Sequence, residues 1–254
     1  MELVLLTAVG VGMATVIGSV IGFIFEKASH RFSDIVLSFA AGVMLCAAVV
    51  GLIIPSLETQ TGNWSLAVTV LGVICGAICV NLIDKLVPHL HNITGGKGEE
   101  KHPENAQRLN KVLLFVIAIA IHNLPEGIAA GVGFGTGDRA QALVIAGGIA
   151  LQNIPEGMVI IAPMIAAGMS KGKTLAIAVG TGIIEIVGTL LGYFAVSISS
   201  AVLPFALAFA GGTMIYVISD EMIPETHAHG HQRGATYSLI IGFCLMLAFD
   251  FILG

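Results

Sequence analysis

Two polar insertions interrupt a chain that is otherwise strongly apolar. Residues 121–131 read IHNLPEGIAAG, and residues 151–161 repeat the pattern as LQNIPEGMVII. In a helix, Pro125 and Pro155 would each remove one backbone N–H and crowd the carbonyl group four residues back. Each insertion therefore predicts a kinked helix with a freed carbonyl oxygen beside polar side chains. Two copies of the same insertion indicate chemistry rather than an accident of packing.

The polar side chains of each insertion fall close together on a helix. Residues four apart share a helical face, and the next residue along lies about 100° round the helix. The six side chains are His122, Asn123 and Glu126 in the first insertion, and Gln152, Asn153 and Glu156 in the second. An isolated histidine would more often be a core residue bonded to a carbonyl oxygen. The glutamate four residues after His122, and the twin motif, favour a metal ligand.

Three carboxylates lie deep in apolar segments, at Glu126, Glu156 and Glu185. A carboxylate at the centre of a bilayer costs about 2.5–3.5 kcal/mol, so three cost on the order of 8–10 kcal/mol. No Lys or Arg lies mid-segment to neutralise them. A bound cation, or protons in its absence, compensates most cheaply, which argues against an anionic substrate. Imidazole, carboxylate and amide oxygen suit Zn²⁺ better than Na⁺ or K⁺, with Fe²⁺, Mn²⁺ and Cd²⁺ as alternatives.

The composition predicts an integral membrane protein. Of the 254 residues, 56% are hydrophobic and 11% are charged, and the mean hydropathy is +0.95. Soluble domains have about 45–50% apolar and about 25% charged residues. The net charge is -5, and no basic run suits nucleic acid. The four cysteines lie in apolar runs and imply no disulfide framework.

Eight apolar runs reach the length of about 20 residues that a bilayer requires. Lipid offers backbone groups no partners, so these spans are expected to be helices. The predicted spans are 3–25, 34–57, 64–87, 112–134, 140–166, 173–198, 203–223 and 235–253. We therefore predict an all-α integral membrane protein in which residues 1–254 form a single transmembrane domain with a cytoplasmic loop at about 88–111.

The basic residues predict the orientation of the chain. With eight spans, ten of the eleven Lys and Arg residues fall on one side of the membrane, and only Arg139 falls on the other. By the positive-inside rule that side is cytoplasmic, so both termini face outward. The small size and the lack of a targeting segment favour a bacterial inner membrane.

The glycines indicate an internal repeat. At a constant offset of 170, the residues Gly10, Gly12, Gly18 and Gly22 fall on Gly180, Gly182, Gly188 and Gly192. The same offset carries LSFAAGVM at 37–44 onto LAFAGGTM at 207–214. Spans one to three thus resemble spans six to eight in the opposite membrane orientation, which gives an inverted 3+2+3 repeat. Glycines also recur wherever helices pack closely, but opposed repeats with a midplane site are typical of secondary transporters.

These features resemble the ZIP family of metal transporters (zinc-regulated, iron-regulated transporter-like proteins) over essentially the whole chain. The resemblance rests on HNLPEG in span four, QNIPEG in span five and FAAGVML in span two. Eight spans with outer termini, and a histidine-bearing loop between spans three and four, agree with it. The resemblance implies transport of a divalent metal ion, zinc above all, into the cytoplasm by alternating access. It implies no organic cofactor.

The resemblance also implies a binuclear metal site between spans four and five. The first ion would be held by His122, Glu126, Gln152 and Glu156, with Met44 as a soft contact. The second ion would be surrounded by Asn123, Glu126, Asn153, Glu156 and Glu185. Many members of the family carry histidine where Gln152 stands, and histidine or aspartate where Asn153 stands, so this chain offers the second ion less charge. The family further implies an elevator-like motion of spans one, four, five and six, and often a homodimer.

Further polar residues flank the predicted path. Glu58 and Asp250 lie at the outer ends of spans two and eight, where they attract incoming cations or are ordinary interfacial carboxylates. Asp220 and Glu221 lie toward the inner end of span seven, where an exit needs acceptors. Histidines gather on the cytoplasmic side, and they are His89, His91, His102, His227, His229 and His231. Such residues bind departing metal weakly or are simply solvated.

Two rival functions fit these residues less well. An intramembrane metalloprotease would show H-E-x-x-H, whereas the spacing here is H-x-x-x-E and the second insertion has no histidine. A transporter of organic cations would need an aromatic box, and spans four and five offer only Phe115 and Phe134 near their ends. We therefore predict a transporter and not an enzyme.

Overall fold

The structure, a computed structural model, describes residues 1–26, 28–59, 64–94, 123–166, 168–198 and 200–253. Within those ranges the chain is helical and contains no strand. The helices are α1 (Glu2–Gly22), α2 (His30–Cys46), α3 (Ile54–Glu58), α4 (Ser65–Thr94), α5 (123–133), α6 (Arg139–Val159), α7 (Ile161–Ala166), α8 (Lys171–Ile198), α9 (Leu203–Val217), α10 (Ile223–His227) and α11 (Gln232–Leu253).

Seven helical segments in the described part of the chain are long and apolar enough to cross a membrane. They overlap the predicted spans one, two, three, five, six, seven and eight. The predicted fourth span, 112–134, is described only from residue 123, and it is helical from there to 133. The all-helical architecture and these apolar segments are those of an integral membrane protein.

Several helices differ in length from the predicted spans. The third predicted span ends at 87, but α4 continues to Thr94. The fifth is divided, because α6 ends at Val159 and α7 begins at Ile161. The predicted bounds follow apolarity, whereas a helix continues for as long as its backbone ladder is satisfied, so it can extend beyond the apolar stretch.

The helices pack in a bundle, and the apolar segments that contain α2 and α9 are its most buried ones among the described residues. The first helix packs against α6 and α8, α2 packs against α6 and α11, and α9 packs against α4. The core between these helices includes the fully buried side chains of Met44, Leu52, Ile145, Leu207 and Met214. In contrast, α4 and α11 expose most of the residues in their apolar stretches, as expected of helices that face lipid.

The glycines of the predicted repeat mediate reciprocal contacts between helices. A Cβ atom added to Gly12 of α1 would collide with the backbone carbonyl of Gly182 on α8, and one added to Gly182 would collide with the carbonyl of Gly12. The two residues stand 170 positions apart. Residues 170 positions apart on α1 and α8 therefore touch each other directly.

A second pair of glycines repeats this correspondence with the central helices. A Cβ atom on Gly18 would meet the backbone of Ile154 on α6, and a Cβ atom on Gly188 would meet the backbone of Leu124 on α5. Leu124 and Ile154 are equivalent positions of the two polar insertions. Thus α1 contacts α6 at the position where α8 contacts α5.

Two π-helical segments interrupt the central helices just before a proline. Ala47–Ile53 joins α2 to α3, and Ile218–Met222 joins α9 to α10. In both segments the last hydrogen bond spans five residues, from Ile54 N–H to the Val49 carbonyl and from Ile223 N–H to the Ile218 carbonyl. A proline follows each of these donors and removes the next N–H, so the wider turn accommodates the missing donor.

The start of α6 depends on a capping side chain. Asp138 Oδ1 accepts hydrogen bonds from Ala140 N–H at 2.8 Å and Gln141 N–H at 3.2 Å. We expect Asp138→Ala to lower the stability of the folded chain by about 0.5–2 kcal/mol, because two N–H groups lose their acceptor. Thermal melts of the purified protein measure the loss. Asp138→Asn keeps a capping oxygen and should melt near the native temperature, and an equal loss in both variants would contradict the capping role.

Candidate metal centre

The polar residues of the two insertions gather in the interior of the bundle with Glu185. The group comprises Asn123 and Glu126 on α5, Gln152, Asn153 and Glu156 on α6, and Glu185 on α8. All but Glu156 are at most 1% exposed, and Glu156 is half-buried. Three carboxylates and three carboxamides thus share one region inside a protein core that is otherwise mostly apolar.

Two glycines bring the flanking helices close to this group. A Cβ atom added to Gly127 of α5 would collide with the backbone of Glu185, and one added to Gly157 of α6 would collide with the backbone of Thr15 on α1. Each of these glycines ends a P-E-G motif. The motifs therefore allow α8 to approach α5 and α1 to approach α6.

A direct hydrogen bond joins the two insertions. Gln152 Nε2 donates to Glu126 Oε1 at 2.9 Å, and both side chains are fully buried. A hydrogen bond to a carboxylate away from water is stronger than one between neutral groups. This contact holds α5 and α6 in a fixed relation at the level of the predicted metal ligands.

On Asn123, Glu126, Gln152 and Asn153, four buried oxygen atoms have no hydrogen-bond partner among the described residues. They are Asn123 Oδ1, Glu126 Oε2, Gln152 Oε1 and Asn153 Oδ1. Buried polar atoms are nearly always paired, and an unpaired one costs about 1–3 kcal/mol. All four oxygens are acceptors, so they need a donor or a cation. Hard oxygen donors of this kind fit a divalent metal ion.

The Glu185 carboxylate is, in contrast, surrounded by donors. Thr15 Oγ1 donates to Oε1 at 2.6 Å, and Asn153 Nδ2 donates to Oε2 at 2.6 Å. Asn123 Nδ2 donates to Oε1 as well. Thr15 is absent from the residues predicted from the sequence. The signal that could have identified it is its place in the predicted repeat, since Thr15 lies 170 residues before Glu185.

Two of the predicted ligands stand apart from this description. His122 lies outside the described residues, directly before Asn123. Met44 is 1% exposed and belongs to the apolar core around α2. Among the described residues, no three side chains of the His, Cys, Asp and Glu types form a metal-sized cluster. The amide oxygens that line the group are not of those four types.

The predicted entrance and exit carboxylates lie at helix ends away from the centre. Glu58 is exposed at the end of α3, and Asp250 is half-buried in the last turns of α11. Asp220 and Glu221 belong to the π-helical segment between α9 and α10, where Asp220 is exposed and Glu221 is half-buried. Because Glu58 and Asp220 are exposed, they do not belong to the buried polar group.

The histidines of the predicted cytoplasmic side occupy different environments. His89 and His91 fall on the last turns of α4, and His102 lies outside the described residues. Both ring nitrogens of His227 have protein partners, since Nδ1 lies 2.8 Å from the Ile223 carbonyl and Nε2 lies 3.1 Å from Thr236 Oγ1. His227 therefore fastens α10 to α11.

His229 belongs to a small polar cluster that the sequence did not predict. Its Nδ1 atom lies 3.0 Å from Asp34 Oδ1, and its ring stacks on that of His30 with the centroids 4.6 Å apart. Asp34 is 3% exposed, so this pair connects the loop before α11 to the first turns of α2. His231 is exposed, and its carbonyl accepts from Ala235 N–H at 3.1 Å at the start of α11.

A family comparison identifies the chain's relatives. The family model described as ZIP Zinc transporter matches residues 91–250, which is more than half of the chain. This range contains both polar insertions and Glu185.

Individual proteins agree with the family match. Zinc transporter ZIPB of Bordetella bronchiseptica is 39% identical over 246 residues, which cover 95% of this chain and 78% of that protein. Zinc transporter GufA of Myxococcus xanthus is 41% identical over 208 residues, covering 80% of both chains. Zinc transporter ZupT of Streptococcus mutans is 30% identical over 255 residues, covering 95% of this chain and 94% of that protein.

Proposed function

Since this chain belongs to the ZIP family of zinc transporters, we propose that it carries zinc ions across a membrane through the buried polar group between α5 and α6. Members of this family are transporters, so the chain is a transporter and not the metalloenzyme considered as a rival. The relatives are named zinc transporters, which supports zinc as the transported substrate.

The observation that carries the proposed site is the set of four unpaired oxygens on Asn123, Glu126, Gln152 and Asn153. Without a cation, each of them is an acceptor removed from water with no donor. A divalent ion satisfies several of them at once and offsets the carboxylate charge. It is therefore the ligand that this arrangement of acceptors accommodates best.

The ion is held by residues from both insertions. In our proposal His122, Glu126, Gln152 and Glu156 ligate it, and Met44 supplies a soft contact from α2. The hydrogen bond from Gln152 to Glu126 supports this set, because it brings one member from each helix into contact. His122 precedes Asn123, whose side chain points into the polar group. Zn²⁺ suits this mixture of nitrogen and oxygen ligands, and Cd²⁺, Fe²⁺ and Mn²⁺ are weaker candidates.

We propose that the chain forms one domain of eight spans, built as an inverted 3+2+3 repeat that alternates access to the centre. The reciprocal contact of Gly12 with Gly182, and the matching contacts of Gly18 and Gly188 with the two insertions, support this symmetry. Opposed repeats provide two equivalent arrangements, one open to each side. A substrate between the repeats can then be exposed to either side in turn.

The orientation of the chain is proposed from the distribution of its basic residues, and the direction of transport from the family resemblance. We propose that both termini face outward and that zinc moves into the cytoplasm of a bacterium through its inner membrane. Glu58 and Asp250 then lie at the outer surface as an entrance, and Asp220, Glu221 and the nearby histidines lie along the exit. His227 is the exception, because both of its ring nitrogens already have protein partners. A homodimer of such chains is part of the same proposal.

Transport by the purified chain tests this function directly. In proteoliposomes that contain a zinc-sensing dye, we expect influx to rise with external zinc and to saturate, because a limited number of sites carries the ion. Vesicles without protein provide the control. If the chain binds zinc but moves none down a gradient at several pH values, the transport function is contradicted.

A further inference from the structure

We infer that Glu185 holds four helices together in place of ligating a second zinc ion, and that Asn153 is the residue that excludes this ion. This inference rests on the proposed function, because it concerns the number of zinc ions at the same centre. The chain then uses one metal ion per transport centre, whereas the family resemblance implies two.

The Glu185 carboxylate is already paired with donors. Both of its oxygens accept hydrogen bonds, Oε1 from Thr15 and Asn123 and Oε2 from Asn153. No oxygen of Glu185 is among the unpaired buried atoms of the described chain. The three donors occupy three of the about four lone-pair sites of the carboxylate, so a second zinc ion bound through both oxygens would have to displace a donor.

The three donors come from three different helices. Thr15 belongs to α1, Asn123 to α5 and Asn153 to α6, whereas Glu185 belongs to α8. One carboxylate is therefore bonded to a single residue from each of three other helices. The four helices belong to spans one, four, five and six. Glu185 makes these helices a connected unit before any metal arrives, and it acts as a positioning residue for α5 and α6.

Both asparagine amides turn their nitrogens toward Glu185. Nδ2 of Asn123 and of Asn153 donates to Glu185, so the carbonyl oxygen of each side chain points away from that carboxylate. Both of these carbonyl oxygens are unpaired. Glu126 Oε2 and Gln152 Oε1 are unpaired as well. In our inference the two asparagine oxygens supplement the ligands of the single ion, while the nitrogens of both amides stay bonded to Glu185.

Asn153 determines whether Glu185 is bonded to donors or ligates a second ion, because an amide N–H can donate to Glu185 and an ionised carboxylate cannot. Its Nδ2 also lies 3.4 Å from the Val11 carbonyl, so both of its N–H groups have acceptors. An aspartate at this position would place a second carboxylate beside Glu185, and such a buried pair is neutralised by a shared proton or by a cation that replaces it. Asn153→Asp should therefore open the second site.

The test counts zinc ions bound to the purified full-length chain in detergent after equilibrium dialysis. Zinc bound by surface histidines adds to the total count. The number of ions at the centre is therefore the total for a protein minus the total for the same protein with Glu126→Ala. Glu126 is chosen because it borders both sites. We expect a difference of about one zinc ion for the native chain and about two for Asn153→Asp, each measured against the matched variant that also lacks Glu126. Glu185→Gln should still bind about one ion, with a lower melting temperature in chelator.

Three results would overturn the inference. The first is that the native chain binds two more ions than its Glu126→Ala variant. The second is that Asn153→Asp binds only one more ion than its matched variant. The third is that Glu185→Gln protein elutes as a folded species but has lost the ion. Failure of the proposed function has a different signature, because it abolishes influx in proteoliposomes whatever the number of bound ions. A native chain that transports zinc and binds two ions would therefore refute the inference and leave the function intact.

Discussion

Glu126→Gln is expected to abolish zinc transport while leaving the fold intact. The carboxylate is fully buried, one of its oxygens accepts from Gln152 and the other is unpaired. The amide has nearly the same shape but removes the negative charge that an ion needs in an apolar interior. Because loss of an outer-shell partner alone costs roughly 10–100-fold, we expect loss of this ligand to reduce zinc influx by more than about 100-fold.

The measurement is the initial rate of zinc influx into proteoliposomes at matched protein density. Glu2→Gln provides a matched control, because Glu2 is an exposed carboxylate at the start of α1 and lies far from the centre in the sequence. That variant should transport at the native rate. Glu126→Gln protein that is correctly folded and transports within threefold of native would show that the ion does not depend on this carboxylate.

Gly18→Ala is expected to destabilise the chain, whereas Gly10→Ala on the same helix is not. The added Cβ atom at Gly18 collides with the backbone of Ile154, which cannot rotate away as a side chain would. Overpacking of this kind costs about 1–3 kcal/mol, which corresponds to a fall in melting temperature of roughly 2–12 °C. Because Ile154 lies between Asn153 and Pro155, the shift also moves the metal centre, and zinc influx should fall.

Gly10 is the internal control for this substitution. Nothing lies within 4 Å of a Cβ atom at this position, and alanine is the better helix former by up to about 1 kcal/mol. Gly10→Ala should therefore melt at or above the native temperature. Equal melting temperatures for the two variants would contradict the close contact between α1 and α6.

The sequence predicted the helical segments well because their signal is local. An apolar run of about 20 residues has few alternatives in a membrane, so seven described segments overlap predicted spans. The ends of the helices were predicted less well, since apolarity marks the membrane boundary and not the end of the hydrogen-bond ladder. The π-helical segments were not predicted, because the prolines that accompany them also fit an ordinary kink.

The candidate site was predicted in its residues but not in its contacts. Spacing along two helices was enough to select Glu126 and Gln152, and depth in an apolar span selected Glu185; the structure brings all three into one buried group. The hydrogen bonds from Thr15 and Asn153 to Glu185 depend on how α1, α6 and α8 meet. A threonine in an apolar helix carries no local sign of such a partner, so only the repeat could have indicated it.

The two π-helical segments have a consequence for how the central helices meet their surroundings. Each segment winds one more residue into a turn than an α-helix does, which rotates everything beyond it by about 100°. Ser56 lies beyond the first segment, and its hydroxyl is 2.8 Å from Thr69 Oγ1 and 2.7 Å from the Pro204 carbonyl. Each segment therefore changes the helical phase, so that the parts of the helix before and after it bury different faces. A chain shortened by one residue there would still form a regular helix, but it would turn Ser56 away from both partners.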